Sequence, residues 1–91
     1  MNNTHHQSPE VRRLLSEVER LEVARAKNFI EQGELTLKHV RAKWAGDKKR
    51  KAELETKLAK TITSGNALTA EYDLLLKTLE VVADAMEALA K

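Results

Sequence analysis

Two long runs of apolar residues, stepping by three and four, flank the tetrapeptide Trp44-Ala45-Gly46-Asp47 at the middle of this 91-residue chain. Glycine readily takes the left-handed conformation that closes a helix, and aspartate is a favoured first cap for the next one. A chain punctuated once in this way doubles back on itself. The pattern predicts an all-α fold, an antiparallel two-helix hairpin with its turn at Trp44–Asp47. The helices are expected over 9–44 and 48–90.

The first helix has a clear start. Ser8 suits the cap, Pro9 the first helical position, and Glu10 the first turn, where the helix dipole favours an anion. Residues 1–7 read as a disordered polar tail, leaving 8–91 as one helical domain. Val11, Leu14, Val18 and Leu21 form a heptad seam. The next two seam sites are Arg25 and Asn28, so the apolar stripe is expected to shift by one residue. It then runs through Ala26, Ile30, Gly33, Leu37, Val40 and Trp44. On that phase Trp44 closes the core at the turn.

The second helix carries Leu54, Leu58 and Ile62, then the cleanest run of the chain: Leu68, Tyr72, Leu75, Leu79, Val82, Met86 and Leu89. Thr63-Ser64-Gly65-Asn66 is a weak point between the two runs. A break at 64–66 would give three helices instead of two. Leu74, Leu76 and Val81 lie off the main stripe, which makes this helix apolar over a wider arc than one neighbour covers. That excess predicts dimerisation into a four-helix bundle, as a homodimer or with a related helical-hairpin protein. Leu68, Tyr72, Leu75, Leu79, Val82 and Met86 are the expected partner interface.

Little in the chain supports chemistry, and it reads as no enzyme. Cysteine is absent, and the three serines (Ser8, Ser16, Ser64) lie in no glycine-rich elbow. There is no phosphate-cradling glycine loop, and carboxylates such as Glu53 stand at helix-surface spacing beside lysines such as Lys57. His5 and His6 are adjacent and His39 stands alone, which is not the i,i+4 spacing of metal ligands on a helix. No cofactor or metal is expected. No apolar run approaches the roughly 18 residues that span a bilayer, and Met1 to Gln7 lacks the apolar core of a secretory signal.

The formal net charge is only +2, but it is unevenly placed. Lys48, Lys49, Arg50 and Lys51 follow the turn, and Lys38, Arg41 and Lys43 precede it. Glu71, Asp73, Glu80, Asp84 and Glu87 lie toward the other end. The hairpin thus gains a basic tip and an acidic open end. A basic tip with an adjacent indole could bind nucleic acid through phosphates and base stacking. A Trp44 turned into the core argues against that use.

The Trp44-Ala45-Gly46 tripeptide just short of mid-chain, the Ser8-Pro9-Glu10 helix start, the approach Leu35 to Gly46 and the lack of cysteine together resemble the WXG family. These are small early-secreted-antigen-like helical hairpins of type VII secretion systems. The resemblance implies a four-helix dimer exported by a route that needs no signal peptide, in some cases with a larger effector as partner. It also implies that Trp44 and Gly46 shape the turn and part of a recognition surface. The family's Tyr-x-x-x-Asp/Glu export signature is not met, since Leu76 stands four residues after Tyr72. The sequence is therefore read as a protein-interaction module resembling a type VII substrate or its partner, secreted or cytoplasmic. A cytoplasmic adaptor, a secretion chaperone or a phage- or plasmid-encoded inhibitor of a host protein is the alternative, and nucleic-acid binding at the basic turn is the second.

Overall fold

The computed structural model describes residues 8–90, which form a helical hairpin of two helices, α1 (Pro9–Trp44) and α2 (Lys48–Ala90). The expected tail, 1–7, lies outside the described residues. The described part is a rod with principal extents of 66 × 18 × 15 Å. Its length is set by α2, whose 43 residues at 1.5 Å each span about 64 Å.

Local signals place the helix ends. Pro9 occupies the start of α1, where its missing N–H costs nothing. Ser8 sits at the cap position, but its hydroxyl makes no capping bond; its carbonyl accepts from the Arg12 N–H at 2.9 Å. At the other end Gly46 has φ 71°, and the Asp47 N–H reaches the Ala42 carbonyl at 3.0 Å while the Gly46 N–H reaches Lys43 at 3.2 Å. This pair of bonds satisfies carbonyls that the helix end leaves orphaned. Asp47 then caps α2, its Oδ1 accepting from the Arg50 N–H at 3.0 Å.

The seam keeps one heptad phase along both helices. On α1 its positions, all buried or half-buried, are Val11, Leu14, Val18, Leu21, Arg25, Asn28, Gln32, Leu35, His39 and Ala42, with Glu17, Ala24 and Val40 half-buried off this phase. On α2 they are Lys51, Leu54, Leu58, Thr61, Gly65, Leu68, Tyr72, Leu75, Leu79, Val82 and Met86, with Thr69 half-buried off it. The steps alternate three and four throughout, the repeat that keeps two helices in contact over a long distance. α2 runs without interruption through Ser64–Asn66, so the hairpin has two helices and no break.

Three expectations are corrected. The α1 stripe does not shift after Leu21: the seam continues through Arg25, Asn28 and Gln32, and the stripe from Ala26 to Trp44 turns away from α2. Trp44 is 82% exposed and closes nothing. Ile62 is also exposed, because its neighbour Thr61 holds the seam position.

Candidate functional site

Where the seam turns polar, it is built as a layer. Asn28 Nδ2 donates to the Thr61 carbonyl at 2.9 Å, and Gln32 Nε2 donates to Asn28 Oδ1 at 2.7 Å. Gly65 faces this pair. A methyl group there would run into Asn28 Oδ1 and lie 3.0 Å from Gln32 Nε2. Glycine inside a helix costs about 1 kcal/mol relative to alanine, and here it makes room for two amides. One turn toward the open end, the Arg25 guanidinium lies over the Tyr72 ring, 4.5 Å from its centroid. The Tyr72 hydroxyl donates to Glu22 Oε2 at 3.2 Å. Half-burial on the seam, then the hydrogen bond and charge of Glu22, push the phenol's pKa up.

Further cross-helix pairs lie on either side of this layer. His39 Nε2 is 3.1 Å from Glu55 Oε2, which Lys51 Nζ also approaches at 3.8 Å. Arg20 Nη2 is 3.6 Å from Glu71 Oε2 and 2.8 Å from Glu17 Oε1. Exposed pairs of this kind contribute little stability. The value of the two that cross between helices is positional, since a slip of one heptad would separate His39 from Glu55 and Arg20 from Glu71.

Apart from Leu35 and Ala42, which are buried against α2, most of the apolar residues in the second half of α1 have no inward role. Val23, Ile30, Leu37 and Trp44 recur every seven residues, with Ala26, Gly33 and Val40 between them. The four large ones are all exposed, Ile30 at 60% and Leu37 at 58%. Counted on the heptad of the seam, these seven positions lie on the opposite side of the helix. They form a second stripe, exposed at every position but Val40, which is half-buried. An added methyl at Gly33 would meet no atom within 4 Å. Phe29, 77% exposed, flanks the stripe. On α2, Leu74 and Val81 are also exposed and seven residues apart.

The stripe ends at the basic tip. Lys38, Arg41, Lys43, Lys48, Lys49 and Arg50 are all exposed, whereas Lys51 is half-buried on the seam beside Glu55. Lys38, Arg41 and Arg50 line an open notch together with Asp47, Ala42 and Ala45. The indole of Trp44 therefore stands in solvent among cations.

The sequence-predicted residues fall into two groups. Trp44, Gly46 and Lys48 to Arg50 gather at the turn and face outward. Leu68, Tyr72, Leu75, Leu79, Val82 and Met86 face α1 within the hairpin, half-buried. Apolar periodicity alone assigns the outward stripe from Ala26 to Trp44 to the core, because two heptad series overlap in α1 and the apolar one is the more visible. The clue to the other series is the unbroken phase from Leu21 through Leu35 to Ala42.

Comparison of the chain with protein-family models, curated proteins and solved structures finds no match. Among the described residues, no three His, Asp or Glu side chains gather as a metal site, and no helix is long and apolar enough to cross a membrane.

Proposed function

We propose that this chain is a protein-interaction module, a helical hairpin whose second apolar face is completed by another helical protein. The observation that carries the reading is the exposed heptad of α1. Surface apolar residues scattered singly need no explanation, but a contiguous patch at interface spacing does. Its heptad period suits a helix as the covering element. The thin core points the same way, because only seven apolar residues are buried among those described, six of them on α1.

The specific setting proposed is that of a small type VII secretion substrate or the partner of one, on the strength of Trp44-Ala45-Gly46 at the turn of a hairpin. Trp44→Ala tests it. The indole is exposed, so its loss leaves the hairpin's core intact. The tagged chain, expressed in cells that carry type VII machinery, should reach the medium, and the variant should stay inside with unchanged helix content. Retention of the wild-type chain with one stoichiometric cytoplasmic partner favours the adaptor reading. Export of Trp44→Ala at the wild-type level removes the turn's proposed role.

A second reading is favoured by the same tryptophan. An exposed indole amid Lys38, Arg41, Lys43 and Lys48 to Arg50 is the composition of a single-stranded nucleic-acid platform. Binding of that kind weakens steeply with salt, and titrating a labelled oligonucleotide at two salt concentrations measures it directly. Binding that is absent, or indifferent to salt, ends this reading.

A further inference from the structure

We propose that the cleft beside the polar layer is a binding site for a single carboxylate group, with the Arg25 guanidinium as its cation. The proposal stands apart from the outer stripe of α1 and does not rest on the interaction-module reading.

The cleft exists because of Gly65. A side chain there would run into Asn28. Without one, a cleft of about 170 Å³ opens between the helices, with Arg25, Asn28 and Gln32 on one side and Asn66 and Thr69 on the other. That is room for several water molecules, or for a carboxylate on a short stem. Phe29, 77% exposed, lines the same cleft and offers the stem an apolar surface.

The lining is rich in donors that the hairpin does not use. Arg25 is half-buried at a seam position. Its guanidinium carries five N–H groups, yet no carboxylate among the described residues lies within 4.0 Å of it. Glu22, one turn away, holds the Tyr72 hydroxyl instead. Arg25 has the face of the Tyr72 ring, a contact that orients the cation and leaves its N–H groups to other acceptors. The threonines show the same thing. Thr36, Thr56, Thr61, Thr63 and Thr78 each donate to the carbonyl four residues back, at 2.7–3.2 Å. Thr69 is the exception among the described threonines, and it is the one that lines the cleft. No buried side-chain polar atom among the described residues lacks a partner, so these spare donors are open to water and within a ligand's reach.

Charge selects the ligand. Arg25 is the one charged residue in the lining, which matches a single negative charge. A planar guanidinium meets a planar carboxylate through two parallel hydrogen bonds. Half-burial makes such bonds stronger than those of the exposed lysines at the basic tip. A phosphate dianion would find no second cation. The carboxylate belongs either to a small acid or to an acidic side chain of another protein, and the recognition chemistry is the same for both.

Side-chain NMR of the full chain tests the site. The N–H signals of Arg25, Asn28 and Asn66 are followed at constant ionic strength while phenylacetate, N-acetylglutamate α-amide or inorganic phosphate is added. Phenylacetamide and N-acetylglutamine amide are the neutral controls. Saturable shifts are expected at millimolar carboxylate, and none from the neutral amides. Arg25→Gln should weaken binding about tenfold or more, and Thr69→Val about threefold with helix content unchanged. Lys49→Gln, at the basic tip, should bind as the wild type does. The tighter of the two carboxylates names the source, a small acid or a protein side chain. Absence of saturable shifts, equal binding of the neutral amides, tighter binding of phosphate, or a folded Arg25→Gln variant that binds like the wild type overturns the proposal and leaves the interaction reading standing. If Arg25→Gln loses helix content, Thr69→Val decides, and undiminished binding by it overturns the proposal.

Discussion

Between Val11 and Leu21, α1 keeps all of its large apolar side chains except Leu15 on the seam against α2. Between Val23 and Trp44 it keeps most of them on the far side. The helix and its neighbour are the same in both regions, yet the inner face changes from Val, Leu, Val, Leu to Arg25, Asn28, Gln32, Leu35, His39 and Ala42. The first region holds the hairpin together by burial alone. The second adds register to burial, its polar layer standing beside a core cluster of Leu35, Ala42 and Leu54 with Leu58 packed against it. An amide pair is placed against one particular glycine, and a slip of one heptad would take the half-buried Asn28 from the Thr61 carbonyl and from the space at Gly65. The turn half of α1 therefore divides its apolar residues, Leu35 and Ala42 facing α2 and Val23, Ile30, Leu37 and Trp44 facing outward.

The largest effect expected from this contrast is a difference between two leucines. Leu21 is fully buried, at 0% exposure, and Leu21→Ala should cost about 2–5 kcal/mol. Leu37→Ala, on the outer stripe, should change the stability of the dilute monomer by no more than about 0.5 kcal/mol. Denaturant midpoints at low protein concentration measure both. Equal losses would mean that the outer stripe is part of the hairpin's own core, and the division of α1 into two regions would fail.

That division also marks how much of the molecule is legible in its sequence. The ends of the helices are legible because their signals are local: Pro9 fixes φ, Gly46 takes the left-handed conformation, and Asp47 caps the second helix. The run from Leu68 to Met86 is legible because its apolar pattern and its seam coincide. The inner face of α1 beyond Leu21 is not, because periodicity identifies a face by its hydrophobicity and this face is polar. Arg25 owes its seam position to the Tyr72 ring, and Asn28 to Thr61 and Gln32, all contributed or oriented by tertiary packing. Periodicity misplaces Trp44 for the same reason, counting it with the apolar series. It misplaces Ile62 because Thr61, one residue away, carries the heptad phase.

The two helical glycines sharpen the contrast at smaller scale. Gly33→Ala fills open space and should stabilise the dilute hairpin by about 0.5–1 kcal/mol, through helix propensity alone. Gly65→Ala gains the same propensity but drives its methyl into Asn28, whose side chain is held by Thr61 and Gln32. The displaced amide should outweigh the gain and leave a net loss on the order of 1 kcal/mol. A double-mutant cycle decides the cause: with Asn28→Ala in the background, Gly65→Ala should turn from harmful to neutral or better. A loss that persists without the Asn28 amide would place the strain elsewhere on the seam.

The smallest effects are those of pH, and they fall on the boundary between the two regions. Tyr72 has its phenol pKa raised in the hairpin, by half-burial first and Glu22 second. An acid with a raised folded pKa contributes stability that is complete below the unfolded value, about 10 for tyrosine, and lost as pH climbs through the folded one. The informative quantity is the difference between the wild type and Tyr72→Phe. That difference should be constant from neutral pH to about 9 and should shrink above 10, where the phenolate is unwelcome between Glu22 and the seam. Glu17 gives the opposite sign at the acid end. The hydrogen bond and charge of Arg20, with a smaller push from Arg13, lower its pKa. Its contribution is present above the usual carboxylate range and lost as pH falls through the lowered value. Melts of Glu17→Gln beside the wild type should therefore converge in acid and separate toward neutrality. A Tyr72→Phe difference that stays flat to high pH would mean the hydroxyl faces water, and that the ring under Arg25 is the only part of Tyr72 that joins the apolar half of α1 to the polar one.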